Sequence, residues 1–388
     1  MTPAGVAGGR AMRSGYPAAR TVAPTVAENL ATHLELARER GLDELAPQPD
    51  AATIEALVDL AFWASLQREE GRAPRISLAY VPPGAGAHAM VFARGLAAGA
   101  RSLSRLAPAV ERPGIHLGVW PDGGGLRVWG TTRAVPLLAF VVEVVEPGLL
   151  VLKQRRGDEF DKFATIAVLT GDRVEVVDEG GAGLPDCPEL LTRLLGFEVP
   201  EPAEESVNVL IQLSVSMRAH GRGGSLLVVP ADDAGWQESA VQPIPYLVHP
   251  FDDLAMLLAA DAEERERPAW RDALHRAVDA VAGLTAVDGA TVMNTRNEVL
   301  AFGVKLVRKR GQERVERVSI TAPVVGKVPG IVDPSQIGGT RHLSAAQFVH
   351  DQRQALAMVA SQDGRFTVFA WSPCEDMVHA HRVETLLM

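Results

Sequence analysis

The hydrophobic and polar positions of the chain change period twice. Between Val26 and Arg40, and again between Ala51 and Glu70, Leu, Ile, Val and Phe recur at helical spacing, with Asp50 placed to cap the second helix. Arg75 to Val81 reads as a strand. From Ile115 to Asp178 the pattern becomes short alternating runs broken at Gly123-Gly124-Gly125, Pro147-Gly148 and Gly171-Asp172, which predicts an antiparallel sheet of about six strands. Two of those runs, Phe140 to Val145 and Leu149 to Leu152, are continuously apolar, which points to burial on both faces or to a partner surface. Beyond Val207 helical and strand-like runs alternate. Helices are expected over Val207–Arg218, Asp252–Ala262, Trp270–Val281 and Ser344–Arg353, and strands over Ser225–Val229, Ala290–Met293, Asn297–Lys305, Ala355–Ala360 and Arg365–Trp371.

This order implies an α/β (α+β) chain in three parts. Residues 1–24, rich in Gly, Ala and Pro, read as a flexible leader. Residues 25–200 form an α+β region, helical over 25–112 and β-rich over 113–180. The acidic stretch Pro200 to Glu205 reads as a linker into a mixed-sheet α/β domain over 201–388.

Composition narrows the function. At 388 residues and 47% hydrophobic the chain can bury two cores, and a net charge of −10 argues against a surface that coats nucleic acid. Cys187 and Cys374 have no metal-type spacing, and no apolar run reaches a membrane span. The expectation is a soluble, cytoplasmic protein with no membrane and no nucleic-acid partner. No phosphate loop of the Gly-x-x-x-x-Gly-Lys type occurs, and no serine has a nucleophile-elbow setting.

Chemistry gathers in two places. Gly338-Gly339-Thr340-Arg341-His342 precedes the apolar spacing of a helix. Free N–H groups and the positive helix end attract phosphate there, and Arg341 adds a fork suited to phosphate oxygens. Asp288, followed by Gly289 and Ala290 at the start of a strand, offers a carboxylate for Mg²⁺ or Mn²⁺ bridging to those phosphates. Each residue also has a plainer reading: a turn aspartate, a surface arginine, a core histidine.

Together the two motifs resemble the diadenylate cyclase (DAC) domain family, whose signatures are Asp-Gly-Ala and Thr-Arg-His-Arg. The chain carries Asp288-Gly289-Ala290, then Gly339-Thr340-Arg341-His342, then the turn Ser361-Gln362-Asp363-Gly364, in the family's order and over roughly residues 205–388. The region before it resembles the probable sensor domain found ahead of some DAC domains. The resemblance implies condensation of two ATP into cyclic di-AMP with release of pyrophosphate, dependent on Mg²⁺ or Mn²⁺. It also implies a homo-oligomer in which two such domains face each other, under control of the front region. Asp288 would bind metal and act catalytically with Arg341 and His342, while Gly289, Ala290, Gly339, Thr340, Ser361 and Arg222 would bind nucleotide. One position departs from the family, because its second arginine is Leu343 here. Arg222, Lys305 or Arg308 would replace that charge. The alternative from another class is a non-catalytic sensor of ATP or cyclic di-AMP.

Three other patterns favour plain readings. Gly84-Ala85-Gly86-Ala87-His88-Ala89 fits a dinucleotide fingerprint, but Pro82 and Pro83 intervene and no acidic residue follows at the right distance, so a glycine turn is expected. Trp120 and Trp129 are expected in a β core rather than on a ligand. His379 and His381, with Cys374, Glu375 and Asp376, invite a metal on one strand face, but a polar tail docking the last strand accounts for them equally.

Overall fold

A computed structural model gives the fold, and it describes residues 15–68, 71–85, 89–112, 114–133, 135–156, 163–178, 209–241, 252–265 and 267–388. The expected linker over 200–205, and 86–88 of the glycine turn, lie outside the described residues. The chain divides into two compact units: Met1–Arg155 with Ile166–Val174, and Arg156–Thr165 with Glu175–Met388. The fold is α/β of the α+β kind, with N-terminal helices and two mixed sheets. No described helix is long and apolar enough to cross a membrane.

In the first unit the leader expectation is corrected, because α1 (Pro17–Glu39) already begins inside it. Pro17 opens the helix, where its missing N–H is no loss, and Ala19, Val22, Ala23, Val26 and Leu30 form a buried stripe. The small side chains of that first turn disguise the stripe. α2 (Ala51–Ser65) starts where Asp50 accepts a hydrogen bond from the Thr53 N–H, and it packs on the sheet.

The stretch from Ile115 to Asp178 supplies six strands, as expected, but two strands from the preceding segment join them, so the sheet has eight strands and is mixed rather than antiparallel. Its members are β1 (Ile76–Tyr80), β2 (Met90–Ala97), β3 (His116–Pro121), β4 (Leu126–Thr132), β5 (Phe140–Glu146), β6 (Leu149–Arg155), β7 (Phe163–Thr170) and β8 (Arg173–Val176), in the order β2-β4-β3-β1-β5-β6-β7-β8. β1 pairs parallel with β3, the link running through β2 and α3 (Ala100–Leu106), and antiparallel with β5. A parallel pair needs such a crossover. β1 is therefore a central strand, buried at every residue, rather than an outlier of a helical segment. Trp129 sits in this core and donates to the Val81 carbonyl at 2.8 Å, while Trp120 rests on Tyr80.

The second unit is a three-layer α/β/α arrangement. Its sheet holds β9 (Gly224–Val229), β10 (Ala240–Val241), β11 (Ala290–Asn294), β12 (Val299–Leu306), β13 (Val318–Thr321), β14 (Gly330–Val332), β15 (Leu356–Ala360), β16 (Phe366–Ser372) and β17 (Met377–Arg382), ordered β10-β12-β11-β9-β15-β16-β17-β13-β14. β9 shows how the layers form. Leu226 and Val228 pack with α4 (Val209–Ala219) and α7 (Pro268–Thr285), whereas Leu227 and Val229 pack with α8 (Thr340–Asp351) on the other face. Alternation by two thus buries the whole strand.

Three expectations change. The single helix expected over 252–262 is two short ones, α5 (Asp253–Leu258) and α6 (Ala262–Arg265). α8 starts at Thr340 rather than Ser344, so Thr340, Arg341 and His342 form its first turn. β16 is not the last strand, because the polar tail itself folds as β17 between β16 and β13.

Candidate functional site

Several elements of the second unit meet at one end of the sheet. β9 and β11 are parallel and begin there, while β12 and β15, antiparallel to their neighbours, end there. The start of α8 arrives at the same place. They enclose a cleft of about 620 Å³, within the range of small-molecule sites. Asp288, Gly289 and Ala290 line it beside Gly339, Thr340, Arg341, His342 and Ser361, although roughly fifty residues of chain separate the first motif from the second.

Asp288 stands in the turn between α7 and β11, exposed and without an ion pair or hydrogen bond to any described residue. The next residue has to be glycine. Gly289 has φ +105°, and a Cβ on it would fall 2.5 Å from the carbonyl carbon of Gly303 on β12. The Asp-Gly-Ala run is therefore shaped by a close strand crossing as well as by the carboxylate.

At the other wall, α8 has no side-chain cap: Gly339 occupies the cap position, and the N–H groups of His342 and Leu343 turn back to its carbonyl. The N–H groups of Thr340 and Arg341 have no partner among the described residues, which leaves the positive helix end open to an anion. Arg341 lies beside the Gly223 backbone, its Nη1 3.2 Å from the place a Cβ would take there, and it makes no ion pair with a described residue. His342 is 4% exposed, and its Nε2 is buried with no hydrogen-bond partner among the described residues. Burial holds its pKa below the usual histidine value against the raising influence of Asp363, with Arg365, Arg382 and Arg341 adding to the lowering, so the ring is neutral at pH 7.

Not every expected residue takes part. Arg222 is exposed and outside the lining. Its carbonyl accepts from Gln362 Nε2 at 3.3 Å, and its N–H donates to His220 Nδ1 at 3.1 Å. Leu343 is half-buried and also outside the lining, whereas Lys305 is within it. Ser361 lines the cleft and hydrogen-bonds Asp363, whose carboxyl is thereby held below the usual carboxylate range. Asp363 also pairs with Arg365.

Sequence reasoning missed Ser225, Val304 and Leu306 as lining residues. Their chemistry is ordinary, and only their position at strand ends brings them in.

Asp288 is the single carboxylate of the lining, and among the described residues no group of three His, Cys, Asp or Glu side chains could hold a metal. One carboxylate completed by substrate phosphates suits Mg²⁺ or Mn²⁺, and a metal caged wholly by protein does not fit. The same finding removes the metal reading of the tail. On β17, His379 Nε2 meets Glu375 at 2.9 Å and His381 Nδ1 meets Thr321 at 2.7 Å, both rings being buried.

No curated protein matches the chain. A family model described as the probable sensor domain DACNV matches residues 43–133, a stretch that runs from just ahead of α2 through β4, so the first unit carries a segment similar to that sensor domain.

Proposed function

We propose that the second unit is a diadenylate cyclase and that the first regulates it. The observation that carries this reading is the meeting, in one cleft, of the lone carboxylate Asp288 with the uncapped start of α8 and Arg341. An ATP triphosphate laid against α8 would receive the Thr340 and Arg341 N–H groups and the Arg341 guanidinium, each charge-assisted bond contributing roughly 1.5–3 kcal/mol. Neutral His342 would line the phosphate site without adding charge, and Ser361 would assist from the β15–β16 turn. Bound at Asp288, Mg²⁺ or Mn²⁺ would neutralise triphosphate charge and acidify the attacking hydroxyl.

In the reaction, the 3′-hydroxyl oxygen of one ATP bonds to the α-phosphorus of the other, the bond to pyrophosphate breaks, and the hydroxyl proton is released. Repeating this in the opposite sense closes cyclic di-AMP. One cleft per chain holds one ATP, so two chains must bring their clefts face to face. The match of residues 43–133 to a probable sensor domain supports the regulatory part, because the resembled domain stands ahead of some DAC domains.

A non-catalytic nucleotide sensor is the second reading, favoured by Leu343 in place of a charged residue. Incubating the purified chain with ATP and Mn²⁺ or Mg²⁺, followed by chromatography, separates the two. Cyclic di-AMP is the expected product. ATP binding without product would replace the enzyme by the sensor, and absence of ATP binding would overturn both.

A further inference from the structure

We infer that Lys305 is the second phosphate-binding cation of the cleft and takes over the charge that position 343 does not supply. The inference rests on the nucleotide reading above. Lys305 and Arg341 are the only lysine or arginine side chains in the lining. The other cations nearby are committed or absent from it. Arg365 pairs with Asp363, Arg382 pairs with Glu384, Arg218 donates to the carbonyls of Gly364 and Leu387, and Arg222 lies outside the lining. Lys305 is exposed and makes no ion pair with any described residue, Asp288 included.

Its place on β12 explains why. Val304 pairs with Ala290 at the start of β11, so β12 continues past the end of β11 for two residues, Lys305 and Leu306, which pair on the other edge with Val241 and Ala240 of β10. Val304 and Leu306 turn to the α8 face, where they join its apolar cluster. Lys305 therefore leaves the strand on the α7 side, the side from which the chain enters through Asp288. Arg341 is held on the other side, beside the chain leading into β9, two strands from β12 and so roughly 10 Å away at the backbone. Two unpaired cations at that separation, with one carboxylate between them, fit an extended polyanion with its metal better than a single phosphate. A lysine stem is long enough to bring its ammonium over the strand end.

The test measures binding of ATP, inorganic tripolyphosphate and adenosine to the full chain and to Lys305→Met, Lys305→Arg and Arg222→Ala by calorimetry. Lys305→Met should weaken ATP and tripolyphosphate about tenfold and leave adenosine unchanged. Lys305→Arg should recover most of the loss, and Arg222→Ala should behave as wild type. Unchanged ATP affinity in Lys305→Met, or an equal loss for adenosine, overturns the assignment. Wild-type protein that binds tripolyphosphate but not ATP would leave Lys305 as an anion contact and remove the nucleotide reading, whereas binding of neither would end both.

Discussion

Gly338 lies so close to the imidazole of His342 that a Cβ on it would sit 2.4 Å from Nδ1 and 2.7 Å from Cγ. The first glycine of the pair thus makes room for the ring rather than for a ligand. Gly338→Ala should tilt the ring away from its place at the cleft. We expect ATP affinity to fall about tenfold while the midpoint of thermal unfolding moves by only a few degrees, since one methyl at a half-buried site is involved. Calorimetric titration beside a thermal melt checks this, and an unaltered affinity would remove His342 from the ligand contacts.

Gly289 carries a different demand. With φ +105° and the Gly303 carbonyl carbon in the way, Gly289→Ala strains the backbone and forces β11 from β12. The expected destabilisation is about 1–3 kcal/mol or more, read from urea unfolding. A variant as stable as wild type would mean that the crossing is looser than described.

Asp288→Asn should abolish cyclic di-AMP formation and leave urea unfolding unchanged within about 0.5 kcal/mol, because the side chain is exposed and supports no described contact. Persistence of metal-dependent turnover in this variant would take Asp288 out of the chemistry.

Leu343 stands outside the lining, so Leu343→Arg should change ATP affinity less than about threefold. Parallel titrations of this variant and Lys305→Met decide whether position 343 or 305 carries the charge. A tenfold gain from Leu343→Arg would restore the family pattern as the governing one.

Stability should fall on mild acidification. His381 is held neutral with a pKa pushed down to about 3, first by burial and then by His379. The unfolded chain binds a proton at this residue near pH 6.5 and the folded chain does not, so its contribution is complete above pH 6.5 and declines as pH falls from there toward 3. At pH 5 the loss from this group alone is about 2 kcal/mol. Urea unfolding of wild type and His381→Gln at pH 8 and pH 5 should show a shallower pH slope in the variant. Equal slopes would assign the acid sensitivity elsewhere.

The periods of the apolar residues determined most of the elements, because a residue's tendency to face a core repeats locally whatever the core is made of. β9, β11, β15 and α7 are legible this way, as is the Asp50 cap of α2. The chain also displayed both site motifs, but only their joint resemblance to the DAC family set them apart, since Asp-Gly occurs as well at Asp122-Gly123 and Asp363-Gly364. Pairing was decided elsewhere. That β1 lies parallel to β3, that β17 fills the gap between β16 and β13, and that β12 overruns β11 by two residues depend on partners far along the chain. Tertiary structure alone could choose among the three candidate cations. Lys305 reaches the lining because a strand ends where Asp288 enters, whereas Arg222 lies outside it. Charge type is a property of the sequence, but whether a charge meets a protein partner, water or a ligand is fixed by which strand ends the fold brings together.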